Sequence, residues 1–324
     1  MTIARTVLGD VPVEELGITY AHEHLIIDGG LPVKLQPDFD LGDVDRAVEE
    51  VRSAGRLGLR TVVDAMPADA GRNVCKLAAI ARTAPVHLIA PTGLHLEKYY
   101  DEFHWSRTAT PEELGQLFAA DVTEGIDEHD YHGPLVRRTE YRAGVIKIAG
   151  DRERLTELQE RIFEGAAIAH RLTGVPILTH CEAGTAALVQ IETLRRHGVP
   201  PEHVILSHVD KVVDRGYQVE VLSTGAFAEY DQGFRWPTDS CNGTLELLEW
   251  MAEDGLLGQV VLGMDAARRR YWRAYGGGPG LEFLLGDFSR AMRQRGLGDA
   301  ELEKLFVGNP ARAYGFATPS ASDS

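Results

Sequence analysis

The sequence predicts a single-domain α/β fold, a (β/α)8 TIM barrel, from two observations. Eight short runs rich in β-branched and apolar residues recur along the 324 residues, and most of them precede a longer amphipathic stretch. Such alternation predicts parallel strands joined by helical crossovers, and eight such units predict closure into a barrel. We assign residues 1–316 to this domain and expect a disordered tail at 317–324, which reads ATPSASDS.

The eight predicted strands are spread over the whole domain. They cover residues 17–22, 60–65, 86–90, 145–149, 175–180, 204–208, 225–230 and 260–264. Several are uninterrupted apolar runs, as expected of strands that are covered on both faces. The alternative architecture, an open doubly wound sheet, expects a glycine-rich phosphate turn after the first strand. That strand ends in His22-Glu23-His24 instead, which favours the barrel.

Helical patterns fill most of the stretches between and after these strands. They cover residues 43–57, 110–125, 152–172, 185–197, 211–221, 242–254 and 281–293. The clearest start signal is Thr110-Pro111-Glu112-Glu113, because proline suits the first helical turn and acidic side chains suit the helix dipole. The polar stretch 127–142 is predicted to be a long connection, either a lid or a surface loop.

Composition and charge argue against several classes of function. Hydrophobic residues make up 44% of the chain and charged residues 25%, with a formal net charge of −16. So acidic a chain lacks the broad basic face that nucleic acid or an anionic membrane requires, and no apolar run reaches the roughly 18 residues needed to cross a bilayer. Three cysteines, and a start (MTIARTVLGD) without an apolar signal segment, predict a cytoplasmic protein that acts on a small molecule.

Metal-ligand side chains stand where the predicted strands end. The first strand ends in His22 and His24, whose i, i+2 spacing points both imidazoles to one side. The fifth ends in His180, the sixth in His208, and Asp265 follows the eighth. Barrel enzymes build their active sites at the carboxyl ends of the strands. One pair of histidines could equally face solvent, but five ligand residues at one rim predict a metal site. The other eight histidines are expected at polar surface or loop positions.

The fourth strand contains a lone lysine, Lys147, within Val-Ile-Lys-Ile-Ala. Lysine is rarely buried without a partner, and burial beside cations lowers its pKa. A neutral amine can add carbon dioxide, and the resulting carbamate is an anion able to bridge two metal ions. The alternative is a lysine at a strand edge whose ammonium reaches solvent. Beside the five metal-ligand residues, we favour the carboxylated lysine.

Five motifs occur in order along the chain: GITYAHEHL, VIKIAG, THCEAG, SHVD and GMDAARR. With them the sequence resembles the phosphotriesterase family of the amidohydrolase superfamily, from residue 17 to the terminal VGNPARAYG. The resemblance implies a (β/α)8 barrel hydrolase with a binuclear metal centre. It also suggests a homodimer.

The resemblance assigns the metal ligands by motif. They are His22, His24 and Asp265 for the buried ion, His180 and His208 for the more exposed ion, and carbamylated Lys147, with a hydroxide, as the bridge between the two. Imidazole and carboxylate ligands suit Zn2+, while Mn2+, Co2+ or Fe2+ would also fit. Two such cations make hydroxide available at neutral pH and polarise the electrophile. Asp265 could then accept the proton as the catalytic base.

The segment after the eighth strand indicates an anionic substrate. Four arginines, at positions 268, 269, 270 and 273, follow Asp265 closely in a protein of net charge −16. If the segment starts with a helical turn, Arg268 and Tyr271 share a face and could hold one phosphate. The alternative is a solvated run of arginines that pairs with the abundant acids.

Two further regions supply candidates for substrate binding. Arg235 lies in the loop after the seventh strand, and Lys211 follows the histidine that ends the sixth. Tyr99 and Tyr100 follow the third strand. Either tyrosine could orient a substrate, or both could simply pack their loop.

The stretch RRRYWRAYGGGPG resembles the phospho-sugar-lactonase branch of the family more than its phosphotriesterase or acyl-homoserine-lactonase branches. This resemblance implies hydrolysis of a phosphorylated aldono-1,4-lactone, an anionic phospho-furanose lactone. One alternative keeps the metal site but acts on an unphosphorylated lactone, such as an acyl-homoserine lactone, or on a phosphotriester. Another is a non-catalytic ligand-binding barrel, which the complete ligand set disfavours.

Overall fold

A computed structural model describes residues 2–237 and 241–317 of the chain. The predicted tail, apart from residue 317, lies outside these residues. Within them, an eight-stranded parallel sheet rolls into a nearly closed barrel with helices around it, which confirms the predicted fold. No helix in the two described ranges is long and apolar enough to cross a membrane.

Ten strands are present in the described part of the chain. They are β1 (Ile3–Thr6), β2 (Gly9–Pro12), β3 (Ile18–Glu23), β4 (Leu59–Asp64), β5 (His87–Gly93), β6 (Ala143–Gly150), β7 (Ile177–Cys181), β8 (Val204–Ser207), β9 (Phe227–Tyr230) and β10 (Val260–Leu262). Strands β3 to β10 form the barrel in chain order, and paired neighbours are parallel. Strands β1 and β2 form an antiparallel hairpin that the sequence patterns did not predict.

The first and last barrel strands meet beside two of the predicted metal ligands. The backbone N–H of Asp265 donates to the carbonyl of His22 at 3.0 Å. Strand β8 ends one residue earlier than predicted, so His208 lies just beyond it, and Asp265 follows β10 as predicted, three residues after Leu262. His208 and Asp265 have left-handed φ angles of 68° and 48°. Non-glycine residues pay about 1–3 kcal/mol for such a backbone, and they are concentrated at functional sites.

Eleven α-helices accompany the described strands. They are α1 (Gly30–Leu35), α2 (Val44–Gly55), α3 (Val74–Thr83), α4 (Pro111–Thr123), α5 (Glu157–Thr173), α6 (Ala187–Arg196), α7 (Arg215–Leu222), α8 (Gly243–Glu253), α9 (Ser289–Gln294), α10 (Asp299–Glu303) and α11 (Asn309–Tyr314). The predicted helix at 281–293 begins later, with one turn of π-helix at Leu284–Phe288 that continues into α9. Helices α1, α3, α10 and α11 were not predicted.

Capping residues explain where several helices begin. Helix α4 starts at Pro111 as predicted, and the Thr110 side chain and Glu113 form a capping box. Helix α3 begins after Asn73, whose side chain accepts a hydrogen bond from the backbone N–H of Lys76 at 3.0 Å. Each cap satisfies backbone donors that would otherwise lack a partner at the first turn.

The barrel interior has an apolar floor made of one side chain from each strand. These side chains are Ala21, Val63, Ile89, Val145, Leu178, Ile205, Phe227 and Val261. Tyr314 of α11 covers the amino end of the barrel, and its hydroxyl donates to the carbonyl of Ala21 at 2.6 Å. A larger apolar layer fills the space between strands and helices. Because side chains alternate along a strand, the residues two positions beyond this floor face the interior near the carboxyl end.

Candidate metal centre and substrate cavity

A layer of polar side chains stands directly above the apolar floor. On strands β6 to β9 the residue two positions after the floor residue also faces the interior. These residues are, in strand order, Lys147, His180, Ser207 and Glu229. All four are buried. The carboxyl end of the barrel therefore presents ionisable groups where the amino end presents hydrocarbon, and this is the end at which barrel enzymes build their sites.

Three of the predicted ligands converge into one cluster. Ligand atoms of His22, His24 and Asp265 all lie within 4.8 Å of one another. The Oδ1 atom of Asp265 is 3.2 Å from His24 Nε2 and 3.9 Å from His22 Nε2. The rings of His208 and His22 are 5.0 Å apart, and those of His208 and His180 are 4.5 Å apart. The structure thus brings together all four histidines and the aspartate that the strand ends predicted.

Burial sets the charge state of this cluster. It lowers the pKa of His22, His180 and His208, and repulsion from the Lys147 ammonium lowers each of them further. Burial alone would raise the pKa of Asp265, but its hydrogen bond with His24 and neighbouring cationic groups hold that pKa well below the usual range. The lowered pKa values favour neutral imidazoles at His22, His180 and His208, which have a free lone pair, beside the ionised carboxylate of Asp265.

Lys147 is enclosed by this cluster and has few partners of its own. Only 1% of the residue is exposed, and its Nζ donates to Ser207 Oγ at 3.3 Å. Burial lowers the pKa of Lys147 to about 8. Gly93 of the neighbouring strand allows the close approach of the two backbones, because a Cβ there would lie 2.0 Å from the Lys147 carbonyl oxygen. The lysine of the sequence motif is therefore a buried amine rather than a side chain reaching solvent.

Two carboxylates behind the imidazoles were not singled out from the sequence. Glu229 Oε2 lies 3.1 Å from His22 Nδ1, and Asp231 contacts the Nδ1 atom of His208. Both acids are buried. Such contacts fix the orientation of an imidazole and leave Nε2 available to a metal ion. Gly263 makes room for this arrangement, since a Cβ there would lie 2.7 Å from Glu229 Oε1.

These side chains fit a divalent metal site. His24 Nδ1 and Glu229 Oε1 are buried and have no hydrogen-bond partner among the described residues. Imidazoles and the ionised carboxylate of Asp265 are ligands of the kind that zinc and related ions prefer. A cation among them would also remove the cost of holding buried carboxylates near one another.

A cavity of about 350 Å³ opens above the cluster, and its wall is rich in cationic side chains. The cluster residues and Lys147 form its base. The cationic residues of the wall are Lys98, Lys211, Arg235, Arg268 and Arg270. Lys98 pairs with Glu182 at 3.0 Å, whereas no described carboxylate lies within 4.0 Å of the Lys211 ammonium. The cavity therefore joins a candidate metal centre to a positively charged wall.

Four of the five predicted substrate-binding residues line this cavity: Arg235, Arg268, Tyr271 and Tyr99. Arg268 immediately precedes a single 3-10 turn at Arg269–Tyr271, and the backbone N–H of Tyr271 donates to the Arg268 carbonyl at 3.0 Å. This turn carries both side chains to the cavity, as the three-residue spacing suggested.

Tyr100 is the exception among the predicted residues. It does not line this cavity, and its hydroxyl donates to the Ala68 carbonyl at 3.0 Å and accepts from the backbone N–H of His95 at 2.8 Å. Its hydroxyl joins two loops, which favours for Tyr100 the loop-packing alternative over contact with substrate. Tyr99 faces the cavity instead.

The histidines outside the motifs are not all at the polar surface. His95 is in a loop as expected, but it lines the cavity, with its ring 5.0 Å from that of His180. The expectation is wrong for His170, which is buried in α5 and contacts the Val175 carbonyl through Nδ1 at 2.8 Å. His104 is buried too, beside Asp69 at 2.9 Å. The strand-end signal identified His22, His24, His180 and His208, but it missed His95, the fifth histidine of this cavity.

A barrel with such a cluster at the carboxyl ends of its strands is that of a metal-dependent hydrolase. The chain belongs to the Phosphotriesterase family, whose model matches residues 2–314. It is 34% identical over 323 residues to a phospho-furanose lactonase of Mycoplasmopsis synoviae, covering 97% of this chain and 92% of the relative.

Solved structures give the same assignment. The crystal structure of an amidohydrolase from Mycoplasma synoviae is similar with a TM-score of 0.92 and 33% identity, covering 98% of this chain and 92% of the other. A phosphotriesterase homology protein from Escherichia coli, crystallised with phosphate in its active site, is similar with a TM-score of 0.83 and 29% identity, covering 93% and 99% of the two chains. The resemblance predicted from the motifs is therefore confirmed.

Proposed function

We propose that the protein hydrolyses a phosphorylated aldono-1,4-lactone, a phospho-furanose lactone, to the corresponding hydroxy acid. The observation that carries this proposal is the cavity itself, which joins the His/Asp cluster at its base to a wall of arginines and lysines. A small substrate with a lactone ring at one end and a phosphate at the other would fit this cavity, because the ring would reach the cluster while the phosphate binds the cationic wall. The phospho-furanose lactonase relative supports the same substrate class.

The residues that would hold two divalent ions are those of the cluster. We assign His22, His24 and Asp265 to one ion and His180 and His208 to the other, with Lys147 as a carbamate shared by both. The pKa of Lys147, about 8, supports this role because it makes a neutral amine accessible near neutral pH. We expect zinc, with manganese, cobalt or iron as alternatives. When bound, such ions activate water for attack and polarise the lactone carbonyl.

Asp265 is the proposed proton acceptor. As water adds to the lactone carbonyl carbon, the carboxylate takes a water proton. The ring C–O bond then breaks, and that proton passes to the leaving ring oxygen, which gives the hydroxy acid and restores the carboxylate. Arg235 positions this carboxylate, since its Nη2 donates to Asp265 Oδ2 and to the Asp265 carbonyl, each at 3.0 Å. Glu23 supports the same loop by accepting the backbone N–H of Met264 at 2.8 Å.

The phosphate is proposed to bind Arg268, Tyr271 and Lys211. All three line the cavity, whereas Arg235 already donates through Nη1 to the Asp231 and Met264 carbonyls and through Nη2 to Asp265. Burial raises the pKa of Tyr271, but the neighbouring Arg270 and Arg235 lower it overall, which marks the positive potential of this wall. The phosphate in the active site of the Escherichia coli relative supports an anion at this end of the barrel. Tyr99 would border the sugar ring.

The test is a hydrolysis screen of lactone pairs that differ only in a terminal phosphate, with the metal content measured on the same sample. We expect phosphorylated lactones to be preferred by about 10-fold or more, as loss of a single charge-assisted contact would predict. Equal turnover of both members of a pair, or faster turnover of acyl-homoserine lactones or phosphotriesters, would contradict the proposed substrate. Absence of hydrolysis by metal-loaded protein would favour the ligand-binding alternative.

The homodimer and the cytoplasmic location also stay predictions. Light scattering during size-exclusion chromatography measures the mass in solution, and a monomeric mass at micromolar concentration would contradict the dimer. Fractionation of cells that express the tagged chain tests the location, and recovery of the protein outside the cytoplasmic fraction would contradict it.

A further inference from the structure

The loop that follows the first barrel strand supplies an acidic residue to the arginine wall. Within this loop, a single 3-10 turn at Pro37–Phe39 contains Asp38. Its Oδ2 atom is 3.3 Å from Arg270 Nη1 and 3.8 Å from Arg268 Nη1. Both arginines line the cavity. Asp38 is thus a carboxylate close to two guanidinium groups of the cavity wall, one of which, Arg268, is a proposed phosphate ligand.

The contacts of Asp38 with these guanidinium groups are loose. Its Oδ2 atom is buried and makes no hydrogen bond to any described residue, and its Oδ1 accepts the backbone N–H of Arg270 at 3.3 Å. A well-formed ion pair between arginine and a carboxylate has two short parallel bonds. Asp38 therefore places negative charge near both arginines without occupying their donors fully.

Arg268 does not depend on Asp38 for its position. Its Nη1 donates to Gln36 Oε1 at 2.9 Å, and its guanidinium carbon lies 4.0 Å from the centre of the Phe39 ring. A neutral hydrogen bond and a cation–π contact hold it in place at the mouth of the cavity. Loss of the Asp38 charge would change the potential at Arg268 more than its geometry.

We propose that Asp38 is a specificity-determining residue, an internal anion that competes with the substrate phosphate for Arg268 and lowers the positive potential of the neighbouring Arg270. This inference rests on the proposed function, since it concerns the phosphate end of the same cavity. The carboxylate weakens the binding of free small anions, which gain only the contacts of the wall. A phosphorylated lactone also gains contacts at the base of the cavity, so it can displace the carboxylate from the arginines. Asp38 thereby keeps free small anions off the wall at concentrations at which a phosphorylated lactone, with its added contacts at the base, still binds.

The experiment compares Asp38→Asn with a matched control in the same loop, Asp40→Asn. Asp40 Oδ2 pairs with Arg269 Nη2 at 2.5 Å, and Arg269 does not line the cavity. Both variants remove one negative charge and keep the shape of the side chain. The probe is inorganic phosphate, with affinity measured by calorimetry on the metal-loaded protein at low and at high salt.

We expect Asp38→Asn to bind inorganic phosphate about fivefold more tightly or better, the size of the repulsion between two unit charges near 4 Å in a water-like dielectric. The gain should shrink at high salt because the effect is electrostatic, and Asp40→Asn should bind phosphate as the wild type does. Weaker or unchanged binding by Asp38→Asn would overturn the proposal, as would an equal gain in Asp40→Asn. Failure of all three proteins to bind phosphate would overturn it too.

A kinetic readout separates this inference from the proposed function. For Asp38→Asn, inhibition of lactone hydrolysis by inorganic phosphate should strengthen by the same factor as the measured affinity. If no lactone is hydrolysed, the proposed function fails while the binding comparison still decides the role of Asp38. If phosphorylated lactones are hydrolysed but Asp38→Asn leaves phosphate binding unchanged, the inference alone fails.

Discussion

Replacing Arg268 with alanine should reduce activity on phosphorylated lactones selectively. In the structure this guanidinium lines the cavity and makes one neutral hydrogen bond, to Gln36. Among the described carboxylates the nearest to it is Asp38, at 3.8 Å. Some of its donors therefore remain available to a ligand. The cationic wall predicts that those donors hold the phosphate while the reaction takes place at the opposite end of the cavity.

The size of the effect follows from these contacts. A hydrogen bond to a charged group contributes about 1.5–3 kcal/mol, which corresponds to a fall of about 10- to 150-fold in kcat/KM for a phosphorylated lactone. A plain lactone has no group at that position and should lose little. The partly exposed contacts of Arg268 contribute about 1 kcal/mol or less to stability, so the variant should stay folded.

The assay is steady-state kinetics on a pair of lactones with and without the phosphate, at matched metal content. Arg269→Ala is the control, because Arg269 is the neighbouring cation and pairs with Asp40 outside the cavity wall. We expect this control to retain the wild-type preference for the phosphorylated member. An equal loss on both lactones in Arg268→Ala would refute the phosphate contact, and so would a similar selective loss in Arg269→Ala.

Three further predictions concern buried groups. Lys147→Ala should lose both metal and turnover, and short carboxylic acids should partly restore them by replacing the carbamate; intact turnover in the variant would remove the carbamate from the mechanism. The pKa of Lys147 is about 8, so the neutral amine that adds CO2 becomes about tenfold more abundant with each pH unit below that value. At fixed dissolved CO2, the rate at which added metal restores activity to metal-free protein should therefore rise about tenfold per pH unit up to about pH 8 and then stay constant. A rate that still rises beyond about pH 9 would indicate an ordinary lysine. Arg72→Met should lower the free energy of unfolding by about 3–5 kcal/mol in denaturant titrations, since Asp121 and Asp130 would lose a fully buried counter-ion, and a change below about 1 kcal/mol would contradict this.

The metal-ligand rim was predictable because two independent signals coincide at each position. A residue such as His180 has the chemistry of a ligand and also ends an apolar run, so the barrel topology brings it to the same rim as the others. Glu229 had a comparable signal, a lone charge in the buried strand Phe-Ala-Glu-Tyr, yet only Lys147 was singled out for that reason. Asp231 had the strand-end signal, because it is an acidic residue directly after the same buried strand.

The loop residues of the cavity could not be predicted in the same way. His95 and Asp38 lie on loops whose paths depend on tertiary contacts rather than on local periodicity. Asp38 lies beside arginines that are about 230 residues away in the sequence, because closure of the barrel brings the first and last strands together. Local sequence patterns do not predict such a contact. Helix α3 was missed although its buried residues Val74, Leu77, Ala78 and Ala81 follow the helical spacing i, i+3, i+4, i+7, so the sequence did contain a signal for it.

The proposed centre holds two metal ions with six residues that lie on, or shortly after, five of the barrel strands. Anomalous X-ray diffraction from crystals of the metal-loaded protein tests it most directly. We predict two peaks about 3.5–4 Å apart, one beside His22, His24 and Asp265 and the other beside His180 and His208, with added density on the Lys147 amine. A single peak elsewhere in the chain, no peak at all, or two ions beside an unmodified Lys147 would contradict the proposed centre.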